Sequence, residues 1–126
     1  MGAGTLVPSG SSLNMPTGSG SERLCRASIY GLNNDWQEIL SGTNGHIYTI
    51  ISMIFCDQQG VTAKIQCKMN NGTNDITILS DPTIVPAYGT FVWNDRFVLE
   101  EDDDLDVYNV STDGRWWVSY IDQDWT

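Results

Sequence analysis

The 126 residues, 40% of them hydrophobic and 10% aromatic, suffice for one domain with a modest core. Sixteen acidic residues against six basic give a net charge of -10. That balance argues against phosphate backbones and anionic lipid as partners and suits a partner with a basic face. No stretch reaches the roughly 18 apolar residues of a membrane span, and the N-terminus lacks the basic start and apolar run of a signal peptide.

Residues 1–22 are rich in Gly, Ser, Pro and Thr and carry one charge, Glu22. Such a segment buries too little apolar surface to hold one shape alone. Leu6, Val7, Leu13 and Met15 are spaced apolar points, read as anchors for an extended arm on an adjacent subunit. Pro8 and Pro16 oppose a helix there. The alternative is a disordered tail.

From residue 23 short β-rich runs alternate with turn signals. RLCRASIYGL (23–32) and WQEIL (36–40) come first, then HIYTIISMIFC (46–56), the longest apolar run, whose Ile, Tyr and Phe content suits a core strand. VTAKIQCKM (61–69) alternates cleanly, with Val61, Ala63, Ile65, Cys67 and Met69 on one face. Asn70-Asn71-Gly72 turns the chain into DITILS (75–80). The next strands are TFVWNDRFVLE (90–100) and LDVYNVS (105–111). Asp113-Gly114 then makes a tight turn into RWWVSYID (115–122). The pattern predicts an all-β chain: an antiparallel β-sandwich or jelly-roll-like barrel of about eight strands over 23–126, behind the arm. Its expected core is Ile29, Ile50, Ile54, Ile65, Val92, Leu105, Val107 and Val118.

The acidic run Glu100, Glu101, Asp102, Asp103, Asp104 lacks the Gly-centred spacing of an EF-hand. It reads first as a solvated turn and second as a docking patch for a basic partner, with metal binding last. His46 is the single histidine, so any Ser-His-Asp or Cys-His site would have to use it. It follows the Asn44-Gly45 turn with no nucleophile motif beside it. Cys25, Cys56 and Cys67 form no C-x-x-C pair and read as three buried thiols. Trp116 and Trp117 point to opposite faces of their strand, one into the core and one outward, where a large aromatic often marks an interface. Trp125 adds a further aromatic at the C-terminus. A sugar-binding platform is the rival use of these rings.

Four motifs resemble small β-sandwich virion proteins of tailed bacteriophages over roughly residues 23–122. They are Ile29-Tyr30 on the entry strand, the step Val85-Pro86-Ala87-Tyr88-Gly89-Thr90, the turn Leu99 to Leu105, and the closing Val118-Ser119-Tyr120-Ile121. The sequence departs from the pattern at Asp102, where the family turn has glycine, and at Tyr88, where it has a small residue. The resemblance implies a structural component of the virion, made in the bacterial cytoplasm, and carries over no catalytic residue. The expected place is the neck or head–tail region, with capsid decoration as the alternative and a carbohydrate- or receptor-binding module as the rival of another class. The expected partners are further copies of the chain and other virion proteins, without cofactor, metal or small-molecule substrate. The expected assembly contacts are Leu6, Val7, Leu13, Met15, Glu100, Glu101, Asp102, Asp103, Asp104 and Trp125.

Overall fold

The computed structural model describes residues 21–126. The expected contacts Leu6, Val7, Leu13 and Met15 lie outside the described residues. Nine strands form: β1 (Ser21–Gly31), β2 (Asp35–Ser41), β3 (His46–Asp57), β4 (Ala63–Asn70), β5 (Asp75–Val85), β6 (Thr90–Trp93), β7 (Phe97–Leu99), β8 (Asp104–Val110) and β9 (Gly114–Asp124). They build two antiparallel sheets. The first has the order β1-β9-β3-β6, with β7 also on β3, and the second has the order β2-β8-β4-β5. The all-β, two-sheet architecture expected from the alternation is therefore present, with no helix among the described residues.

Three elements differ from the sequence reading. The stretch 90–100, expected as one strand, divides at Asn94-Asp95-Arg96. Its first part pairs with Met53–Cys56 of β3 and its second with Tyr48–Ile50. β4 starts at Ala63, leaving Val61 61% exposed rather than on the apolar face. β5 continues through Asp81-Pro82, read as loop, because the ladder bulges there: Cys67 faces Leu79 and Ile65 faces Thr83. β5 is an edge strand, where a proline breaks no inner ladder.

The core fills the space between the sheets. Ile50, Ile65, Leu105, Val107 and Val118 are buried as expected, and Ile29 packs half-buried against them. Ile54 and Val92 are corrections. In β3 the register against β9 shifts between Ile50 and Ser52, leaving Ile51 as an extra residue. This bulge reverses the alternation. Tyr48 and Ile50 point inward before it, Met53 and Phe55 after it, and Ile54 faces out. Val92, opposite Ile54, is 49% exposed. Trp116 is the inward tryptophan and stacks on Phe55 with ring centroids 4.9 Å apart. Each fully buried side chain of this size contributes about 1.5–3 kcal/mol.

Polar groups close the sandwich at both ends. At one end Asn109 is buried. Its carboxamide oxygen accepts from the Trp116 indole at 3.1 Å, and its nitrogen donates to the carbonyls of Ser111 and Gly31 at 3.2 and 3.4 Å. A Cβ at Gly31 would overlap the Asn109 side chain, so that strand end needs glycine. Beside it, the buried Asp57 accepts from the Ser111 hydroxyl at 3.0 Å and the Gln59 amide at 3.1 Å. At the opposite end Asp122, also buried, accepts from Arg23 at 3.1 Å and pairs with His46 Nδ1 at 2.7 Å. The lone histidine is thus a strand-end partner of a buried carboxylate.

Of the three thiols expected to be buried, Cys67 is, while Cys25 and Cys56 are half-buried; all three are free. Burial, reinforced by Asp106, pushes the Cys67 thiol up to about 12. Both departures from the family pattern fall in turns. Tyr88 takes the left-handed φ of 58°, a conformation that large side chains rarely adopt. Asp102 avoids that region. Its turn is closed instead by the Asp103 amide donating to the Glu100 carbonyl at 3.0 Å and the Glu100 amide donating to the Asp103 carboxylate at 2.8 Å.

Candidate assembly surface

The two sheets present different faces to solvent. On the second sheet, the cross-strand pairs set Glu38 beside Asp106 and Asp106 beside Lys68. Asp104 and Asp75 flank Asn70, and Lys64 lies next to Val110 and Ile84. Lys68 reaches Asp75 at 3.3 Å and sits 4.3 Å from the Trp36 ring centroid. This is the wet face of an ordinary antiparallel sheet. Burial raises the pKa of both Glu38 and Asp106, and neighbouring carboxylates add to it.

The first sheet departs from that rule. Its outward row Leu24–Ile121–Thr49–Val98 is apolar but for one threonine. A second row, Ser28–Trp117–Ile54–Val92, repeats the pattern two residues along β9 from Ser119. Between them run Arg26, Ser119 and Ser52, with the bulged Ile51 alongside. The last row holds Tyr30, Arg115, Cys56 and Thr90. Arg115 stacks 4.8 Å from the Tyr30 ring and meets Asp113 at 3.4 Å, which offsets its charge. Among the described residues of these outward rows Glu22, at the margin, is the one carboxylate, and it accepts from Gln123 at 2.7 Å. A chain of net charge -10 thus keeps one broad face almost free of acid. A contiguous apolar patch on such a surface marks a binding surface.

A second feature lies at the His46 end. The turn Glu100–Asp103 and Trp125, separated in sequence, line one open notch of about 530 Å³ together with His46 and Asn71. Trp125 is 44% exposed, so its ring is available. Four of the five acidic residues named from the sequence therefore meet Trp125. Asp104 does not line the notch. It starts β8 and accepts from the Ser41 hydroxyl at 2.8 Å on the outer face of the second sheet. Among the described residues no group of three or more His, Cys, Asp or Glu is placed to hold a metal ion.

Sequence reasoning put one of Trp116 and Trp117 outward, which is Trp117, but missed the face around it. The signal was present in HIYTIISMIFC, which is apolar at both odd and even positions. Such a run describes a strand covered on both sides. Also missed was Asn109, a polar residue at an inward position of β8, two residues beyond the buried Val107. No family model, curated protein or solved structure matches the chain.

Proposed function

We propose that this chain is a structural subunit that packs against other protein subunits, and that the assembly is the virion of a tailed bacteriophage. The acid-poor outer face of the first sheet carries the assembly reading, since a surface of that composition is costly to leave wet. The virion reading rests on the motif resemblance over residues 23–122. The strand order supports a jelly roll, a fold found in viral capsid domains. β1-β9-β3-β6 lies against β2-β8-β4-β5, with Trp116 of β9 bonded to Asn109 of β8 and Met53 of β3 against Cys67 of β4. The neck or head–tail region is the favoured place, with capsid decoration second. The segment before Ser21, leading into the edge strand β1, would add an arm to the contacts, and the acidic notch suits a Lys- or Arg-bearing partner.

The test is to locate the chain in purified particles of the phage that encodes it, by mass spectrometry and antibody labelling. A symmetric set of copies at the neck is expected. Even coverage of the capsid would move it to decoration, and its absence from particles would overturn the virion reading. A carbohydrate-binding module is the second reading, favoured by one observation: an exposed Trp125 beside carboxylates in an open notch. Binding on a glycan array that Trp125→Ala abolishes would support it.

A further inference from the structure

The outer face of the first sheet has relief as well as composition. Trp117 and Ile54, half-buried cross-strand neighbours on the outward side of β9 and β3, form a ridge by the size of their side chains beside Ser119 and Ser52. Two residues along each strand, Ser119 and Ser52 face each other in the floor of a groove of about 640 Å³, walled by Leu24, Arg26 and Ile51. Ridge and groove lie side by side on one surface, which is what a self-complementary contact needs.

We propose that this face takes a second copy of the chain, the two sheets packed face to face about a two-fold axis that crosses the strands at the level of Val118. This rests on the reading of the chain as an assembly subunit and names the partner of that surface. An axis lying in the interface across the strands reverses strand direction between copies. Trp117 of each copy then stands over Ser119 of the other, and Ile54 over Ser52, so both ridges fill both grooves. Leu24 comes over Tyr30, which is 73% exposed in the single chain.

Of the charges on the face, Arg115 comes over Ile121 of the other copy with its charge offset by Asp113 at 3.4 Å. Arg26 faces Ser28 of the other copy rather than its own equivalent, and its guanidinium borders the groove that receives the indole. Glu22 stays at the margin, and the carboxylates of the second sheet stay on the far side of each copy. The extent of the face also fits. Strands of eleven, eleven and twelve residues, with the four of β6 and the three of β7, at about 4.8 Å between strands and about 3.3 Å per residue, cover roughly 650 Å². An ordinary stable complex buries about 800 Å² on each partner.

Sedimentation analysis of the full chain tests the pairing. The parent is expected to form a dimer, or an even-numbered assembly, at micromolar concentration. Trp117→Ala removes the ridge and Ser119→Trp fills the groove, and each is expected to weaken association roughly tenfold or more. Lys64→Glu, on the other sheet, is expected to leave it unchanged. Should Trp117→Ala lose its cooperative melt, Ser119→Trp reads the same surface without removing any side chain. A parent that stays monomeric up to about 1 mM, or an association that neither variant weakens, overturns the proposal. A monomer in which a benzophenone at position 119 cross-links to residues 1–20 assigns the face to the chain's own N-terminal segment and overturns it too. A chain that pairs through this face but is absent from phage particles sinks the virion reading alone. One that is present in particles but monomeric in isolation sinks the pairing alone.

Discussion

Asn109 shows how one polar side chain can fix a strand end. It satisfies the Trp116 indole and two carbonyls in a place without solvent. Asn109→Ala strands these groups, and each unmet buried partner costs about 1–3 kcal/mol. The expected loss is about 2–4 kcal/mol, read from the shift of the urea midpoint at constant slope. Asp106 and Glu38 make the opposite case. Both are held above the ordinary carboxylate range by burial, with neighbouring acids adding to it and, at Asp106, Lys68 opposing it. The folded chain therefore binds more protons than the unfolded one in that window, and stability falls as pH rises through it. The penalty is absent below the unfolded pKa and complete above the raised one. Asp106→Asn is expected to stabilise by about 0.5 kcal/mol at neutral pH, a figure kept small by solvent screening. The gain should vanish when melting is repeated below about pH 3.5.

At the scale of single strands, the bulge in β3 decides which residues make the core. Ile51 has no partner in the ladder with β9, so its deletion restores a regular strand without moving Tyr48, Ile50, Met53 or Phe55 to the other face. The expected cost is about 1–2 kcal/mol with a cooperative melt retained. Deleting Ile54 instead shifts the register of Phe55 through Asp57 against β9 and is expected to abolish folding. Equal melting temperatures for the two deletions would contradict the assignment of the extra residue. This bulge also limited what the sequence could reveal. Alternation alone puts Ile50 and Ile54 on one face, and nothing in Ile50-Ile51-Ser52 signals an added residue, since no glycine marks it. The existence and type of most strands were legible because they rest on local periodicity and turn residues such as Asp113-Gly114. The division of 90–100 into β6 and β7 was not, because it answers to where β3 bends. The meeting of Glu100–Asp103 with Trp125 depends on sheet pairing between segments distant in sequence, which no local pattern encodes.

For the whole molecule, charge and fold divide the surface. The first sheet meets solvent with an apolar face, and the carboxylates gather on the second sheet and around the notch at the His46 end. Copies of net charge -10 that pair through an acid-poor face still repel one another at longer range. Association is therefore expected to tighten about threefold or more as salt rises from about 0.01 to 0.1 M and the Debye length falls from roughly 30 to 10 Å. A sedimentation series in NaCl checks this, and loosening with salt would point to pairing through opposite charges instead. The register of β1 on β9 has a mechanical side. Ser21 lies opposite Asp124, so β1 begins and β9 ends at the same corner of the sheet. Tension applied between them would open the ladder like a zipper, one hydrogen-bonded pair at a time, and yield at low force. A pull from Ser21 against the Asp57 end would load all eleven pairs in shear at once. In an assembly under strain, the direction of the load would decide whether this subunit peels or holds.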